Sequence, residues 1–196
     1  MKILIIGGYG TFGGRLAELL SEIEALTLVI AGRSEAKAAT FVGTLAAGAK
    51  KLPLAFDRDA DVDIQIGQLK PDLVIDATGP FQLYGDDSYR VVKACIKHNA
   101  NYMDLADGVQ FVDGIEQFDI EAKARGLFVL SGVSSFPVLT AAAVRKLSRG
   151  IQQVTDIKGG IAPSPYAGVG MNVLRAIAGY AGKPVQIIRS GQRFKC

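Results

Sequence analysis

An α/β fold built on one doubly wound parallel sheet is predicted by three observations. Short apolar runs alternate with segments of helical periodicity along the first three quarters of the chain. The runs are nearly continuous in Ile, Leu and Val, as strands buried on both faces must be. The first run, Ile3-Leu4-Ile5-Ile6, flows directly into a glycine cluster that opens a helical segment. Strand, glycine turn and helix in that order point to a Rossmann-like sheet.

The strands are expected at Lys2–Ile6, Leu26–Ala31, Leu52–Phe56, Leu73–Ala77, Asn101–Asp104 and Leu127–Leu130. Between the first two, Phe12, Leu16, Leu19, Leu20 and Ile23 follow helical spacing. Val91/Cys95 and Val92/Ile96 stack at i, i+4, and Phe111, Ile115, Phe118 and Ala122 predict a further helix. The segment Ala60–Leu69 is the helix least defined by pattern. The character changes near Gly150, which divides the chain into a dinucleotide-binding domain, 1–150, and an incomplete second α+β region, 151–196. There Val154–Ile161 is expected as a strand, Gly160–Gly170 as a Pro/Gly-rich turn, Asn172–Ala181 as a helix stopped by Gly182, and Val185–Arg189 as a strand. A second region of about 45 residues buries too little surface to close a core alone.

Composition removes several function classes. Of 196 residues, 49% are hydrophobic and 21% charged, which suits a packed core. A net charge of +3 without a basic stripe excludes nucleic acid as the expected partner. No apolar run approaches the roughly 20 residues that span a bilayer, so no membrane association is expected. The apolar run before the first glycines is too short for a secretory signal. Two cysteines, Cys95 within a helical pattern and Cys196 at the last position, suggest no disulfide framework. A cytoplasmic location follows as the expectation, and no metal-ligand spacing is present.

Gly8, Gly10 and Gly13 form G-x-G-x-x-G between strand and helix, the arrangement that binds a dinucleotide pyrophosphate. Gly8 is expected to permit the tight turn, Gly10 to admit the pyrophosphate, and Gly13 to let helix and strand pack closely. The helix N-terminus adds about 0.3–1 kcal/mol of favourable field for an anion. Tyr9, Thr11 and Phe12 complete the expected cofactor loop. The second strand ends in Val29-Ile30-Ala31-Gly32-Arg33-Ser34, without the acidic residue that binds an NAD ribose. Arg33 and Ser34 instead offer a guanidinium and a hydroxyl to a 2′-phosphate, so the expected cofactor is NADP rather than NAD. The alternative leaves Ser34 capping the next helix and Arg33 solvated. Asp57, after the third strand, either accepts from an adenine amino group or closes a surface turn. Thr78, Gly79 and Pro80 follow the fourth strand at the ligand edge, where a rigid turn would line the nicotinamide half of the cofactor.

Candidates for chemistry are few. Tyr84 could serve as an acid or donor near the nicotinamide, or pack under its loop. Asp104 ends the fifth strand and could orient substrate or cap a turn. Tyr89 and Lys93 form Y-x-x-x-K, the pair that short-chain dehydrogenases use, which gives an alternative enzyme reading. His98, the one histidine, sits near a helix end.

The GGYGTFG loop, AGRS after the second strand, ATGPFQLYG, and VVKACIKHNANYMDLADG together resemble the saccharopine dehydrogenase-like family. GVSSFPVLTAAAV and GYAGKPV fit the same family. The resemblance implies an NADP-binding Rossmann domain followed by a larger α+β domain for substrate binding and dimerisation. It also implies pyridine-nucleotide redox at a carbon–nitrogen bond of an amino-acid-like substrate, in a homo-oligomer. The chain stops after the first elements of that second domain, which leaves a second expectation, a non-catalytic dinucleotide sensor or partner-binding module. The unfinished region after Gly150 is expected to mediate self-association.

Overall fold

The fold is described from a computed structural model. It describes residues 1–160 together with 174, 178–179, 181–182, 184, 186–189 and 192–195. Two compact units are present, 1–160 and 161–196.

In the first unit six parallel strands stand in the order β3-β2-β1-β4-β5-β6. These are β1 (Lys2–Ile6), β2 (Thr27–Gly32), β3 (Lys50–Ala55), β4 (Leu73–Asp76), β5 (Asn101–Asp104) and β6 (Val129–Leu130). The order reverses at β1, which pairs with both β2 and β4. Register brings the strand ends level: Ile6 lies beside Ala31 and Asp76, and Asp76 beside Asp104. The glycine turn, Arg33 and the loop after β4 therefore leave the sheet at one edge.

Alternation along the strands feeds two cores. Leu4, Ile6, Val29 and Val74 pack with Ile66, Val91, Cys95 and Tyr102 on the face of α3 (Val62–Leu69) and α4 (Arg90–Lys97). Ile3, Ile5, Leu28, Ile30 and Ile75 pack with Ala17 and Ala38 on the face of α1 (Thr11–Leu20) and α2 (Glu35–Val42). Both sheet faces are apolar, which is why the strand runs lack polar alternation.

Several expectations are corrected. Helix α1 buries Gly13, Gly14 and Ala17, whereas Phe12, Leu19 and Ile23 are exposed. Close approach of helix to sheet selects small residues there, and only Leu16 and Leu20 of the apolar series pack inward. The helix expected through Phe111–Ala122 is broken into α5 (Val109–Asp113), a 3₁₀ segment (Gly114–Phe118) and α6 (Asp119–Ala124). Its Phe111, Phe118 and Ala122 are nevertheless buried. The weakly patterned third helix exists as α3, capped by Asp61, whose carboxylate accepts the Ile64 N–H at 3.1 Å. Strand β3 tolerates Pro53 because it is an edge strand.

Beyond β6, α7 (Thr140–Leu147) contributes no buried residue. Residues 154–160 pair with no strand among the described residues, so the strand expected at Val154–Ile161 is not seen there. The turn expected at 160–170 lies outside the described residues from 161 on, as does most of the helix expected at 172–181. In the second unit β7 (Gln186–Arg189) and β8 (Gln192–Lys195) form an antiparallel pair, so Val185–Arg189 is a strand over its described residues.

Candidate functional site

The backbone of the glycine turn does the first part of the work. Gly7, which the spacing did not single out, carries the left-handed conformation, φ +78°. The tight turn thus falls one residue before the expected Gly8. The N–H groups of Gly7 and Gly8 both donate to the Ala31 carbonyl, at 2.8 and 3.0 Å, and Gly10 N–H donates to the Gly7 carbonyl at 2.9 Å. A β-carbon on Gly8 would lie 2.8 Å from the Ile5 carbonyl oxygen, and one on Gly13 would collide with the Gly7 carbonyl. Gly7 also packs against the loop after β4, since a β-carbon there would lie 3.0 Å from the Ala77 carbonyl oxygen. The turn and that loop are in direct contact.

Helix α1 begins at this turn with Gly10 as its cap, no capping side chain and no acidic residue in its first turn. By contrast, α2 and α3 are capped by Ser34 and Asp61. Among the described residues no side chain caps these N–H groups and no acidic residue stands in the first turn of α1, while the helix field favours an anion there. Gly10, Thr11 and Phe12 are exposed beside them. Glycine backbone and uncapped helix together form a cradle suited to a diphosphate.

At the end of β2 the structure brings Tyr9, Arg33 and Ser34 together. Ser34 Oγ caps α2 by accepting the Lys37 N–H at 3.3 Å. Its own N–H donates to the Tyr9 phenolic oxygen at 3.1 Å. Arg33 is exposed. Asp57 is exposed beyond β3, and its Oδ1 accepts the Asp59 N–H at 3.0 Å, which is the turn role.

A buried polar cluster stands at the end of β4. Asp76 Oδ1 accepts from Thr78 N–H at 3.0 Å and from Thr78 Oγ1 at 2.5 Å. Thr78 Oγ1 is also 2.5 Å from the Tyr84 hydroxyl. Arg58 lies across the Tyr84 ring, 3.2 Å from guanidinium carbon to ring centroid, with Nε 4.0 Å from Asp76 Oδ2. Its Nε and Nη2 have no hydrogen-bond partner among the described residues. Burial pushes the Asp76 carboxyl up, opposed by Thr78 and Arg58. Burial, then the charge of Asp76, pushes the Tyr84 phenol well up. The Tyr84 hydroxyl ties its loop to Thr78 and Asp76. Gly79 and Pro80, joined by a cis peptide, lie between these anchors. Phe81 packs against Tyr84 and Phe111 beneath them.

Asp104 is also positional. Fully buried, its Oδ1 accepts from Ala106 N–H (2.9 Å), Ser131 Oγ (2.9 Å) and Gly132 N–H (2.8 Å), which fastens the loop after β6. Burial pushes this carboxyl up despite the three donors. Tyr89 and Lys93 are each engaged with other groups. The Tyr89 hydroxyl donates to the Phe111 carbonyl at 2.9 Å, and the Lys93 ammonium binds Asp87 at 2.8 Å. His98, at the end of α4, lies 3.0 Å from Asp63 and cross-braces α3. The hydrogen bond from Lys97 is the largest influence holding the Asp63 carboxyl below its ordinary range.

Arg58 was missed by sequence reasoning: it sits in an acidic turn, and only the fold carries it to Tyr84 and Asp76. Among the described residues no cluster of His, Cys, Asp and Glu suits a metal ion, and no helix is long and apolar enough to cross a membrane.

A family model described as the saccharopine dehydrogenase NADP binding domain matches residues 3–130. Among solved structures the chain is similar to the saccharopine dehydrogenase (L-Glu forming) of Saccharomyces cerevisiae. The identity is 17% and the TM-score 0.56, over 76% of this chain and 31% of that one. It is also similar to the WlbA dehydrogenase of Thermus thermophilus, solved with NAD and UDP-GlcNAcA, at 17% identity and TM-score 0.50. That match covers 74% of this chain and 46% of that one. These likenesses show the fold, and the chain spans less than half the length of either protein. No curated protein matches it significantly in sequence.

Proposed function

Because the chain belongs to the saccharopine dehydrogenase NADP-binding-domain family, we propose that it is the NADP-binding part of an oxidoreductase acting at a carbon–nitrogen bond of an amino-acid-like substrate. The observation that carries the nucleotide half of this reading is the uncapped start of α1 behind the glycine turn, where backbone N–H groups await an anion. Arg33 and Ser34 at the end of β2 support NADP over NAD, since the ribose there meets a cation and no carboxylate. Bound NADP supplies the hydride chemistry. The chain's own residues position it: the glycine turn holds the diphosphate, Arg33 and Ser34 the 2′-phosphate, and the Thr78–Pro80 loop walls the nicotinamide end. Thr78, Tyr84, Asp76 and Arg58 hold that wall in one conformation.

Arg33→Ala is expected to weaken NADPH binding by about 1.5–3 kcal/mol, about tenfold or more. NADH affinity is expected to change little. Calorimetric titration with both cofactors checks this, and equal losses for the two would overturn the NADP assignment.

A second reading, a dinucleotide-responsive binding module, is favoured by the internal engagement of both Tyr84 and Asp104. NADPH binding without turnover across amine and keto-acid substrates would select it. Under either reading the protein self-associates in the cytoplasm, a proposal supported by exposed Leu139, Leu147 and Ile151 around a helix with no buried residue. A monomer in sedimentation at micromolar concentration would overturn it.

A further inference from the structure

Tyr9 belongs to the glycine turn by sequence, yet its side chain reaches the end of β2. The ring covers Gly32 so closely that a β-carbon there would lie 2.6 Å from it. Any other residue at position 32 would push the ring away. The phenolic oxygen accepts the Ser34 N–H at 3.1 Å. A phenol that accepts through its oxygen keeps its own proton to donate. Among the described residues nothing takes that proton, and the ring is only half-buried. Arg33, next to Ser34, is exposed and likewise has no hydrogen-bond or ion-pair partner among the described residues. Two unspent donors, one neutral and one cationic, therefore flank the first turn of α2.

The same tether fixes a distance. Tyr9 lies directly before Gly10, the cap of the helix that faces a diphosphate, and its hydroxyl is anchored on the residue that caps α2. The diphosphate cradle and the end of β2 are thereby held in one register. A ligand with a second phosphate on its ribose matches two such anion positions; a ligand without one leaves the second empty.

We propose that Tyr9 is a specificity-determining ligand of the nucleotide, donating its O–H to the 2′-phosphate while the Ser34 amide holds its oxygen in place. This rests on the NADP reading above. It adds a residue of the glycine turn to a subsite otherwise read at Arg33 and Ser34.

The test uses the full chain and two probes, 2′,5′-ADP and 5′-AMP, titrated calorimetrically against wild type, Tyr9→Phe and Arg33→Ala. Tyr9→Phe keeps the ring over Gly32 and removes only the hydroxyl. Wild type is expected to prefer 2′,5′-ADP. Tyr9→Phe is expected to weaken 2′,5′-ADP about tenfold, the loss for a hydrogen bond to a charged group. 5′-AMP is expected to stay within about twofold, because the phenol makes no bond to it. If Tyr9→Phe keeps the preference while Arg33→Ala abolishes it, the Tyr9 assignment falls and the NADP reading stands. Equal weakening of both probes also overturns it, because a merely structural role would move both. If wild type shows no preference, the NADP reading and this assignment fall together.

Discussion

Gly13→Ala is expected to abolish measurable NADPH binding and to destabilise the fold by about 1–3 kcal/mol, the range for a methyl group forced into a packed site. The added carbon would collide with the Gly7 carbonyl and lie 3.1 Å from Gly8 Cα. Both are backbone atoms, so no side-chain rotation relieves the overlap. Nor is Gly7 free to retreat: its N–H is bonded to Ala31, and its α-carbon faces the Ala77 carbonyl. The strain must therefore move α1 or open the turn, and either misdirects the N–H groups that face the diphosphate. Gly14→Ala is the control. Its new carbon would meet the tip of the Phe41 ring at 3.3 Å and the Tyr9 backbone at an ordinary 3.6 Å, and replacing a helical glycine gains about 1 kcal/mol. Urea unfolding and NADPH fluorescence titration of the two variants decide the matter. A Gly13→Ala protein with wild-type midpoint and affinity would refute the account of the turn.

The second large effect lies at the end of β4. Asp76→Ala is expected to cost about 3–5 kcal/mol, because it removes the buried anion beside a buried guanidinium and leaves it only the exposed Asp59 carboxylate, 3.9 Å away. The Arg58 side chain is only 12% exposed and that of Asp76 1%, so water cannot substitute. Thr78 would also lose the acceptor for both its N–H and its hydroxyl. Asp76→Asn keeps that acceptor and is expected to cost less. It also isolates the titration. In the folded protein the Asp76 carboxyl is raised above its ordinary value of 3.8, mainly by burial. The native state therefore holds this proton at pH values where the unfolded chain has released it, and native stability falls as pH rises through the folded value. Wild type should thus lose stability relative to Asp76→Asn as pH rises from the ordinary carboxyl value through the raised folded one. Denaturation midpoints measured across that range check the sign, and a gain by wild type would reverse it.

What was legible in the sequence was what lies close together along it. The six strands, the glycine turn and the end of β2 are local patterns of apolar runs and backbone-permissive residues, and all stand where expected to within a few residues. Two kinds of feature were hidden. The inward face of α1 is made of glycine and alanine, so a hydrophobic count points to Phe12 and Leu19 and misses the contact. The Arg58–Tyr84–Asp76 cluster joins the end of β4 to the loops after β3 and β4, and no spacing announces it. Tyr84 and Asp104 were visible as polar residues at the ligand edge. Whether they face ligand or protein depends on partners, Thr78 for one and Gly132 for the other, that only the fold supplies.

Cys95, closed within the core between the sheet and α4, gives the molecule an internal clock. Burial raises its thiol and excludes reagent, so almost no thiolate is available in the native state. Alkylation at this position must wait for the sheet and α4 to part. The rate at which Cys95 is labelled, read by peptide mapping, therefore reports how often the nucleotide-binding core opens. A ligand that closes the glycine turn over its phosphates should slow that rate in proportion to its occupancy.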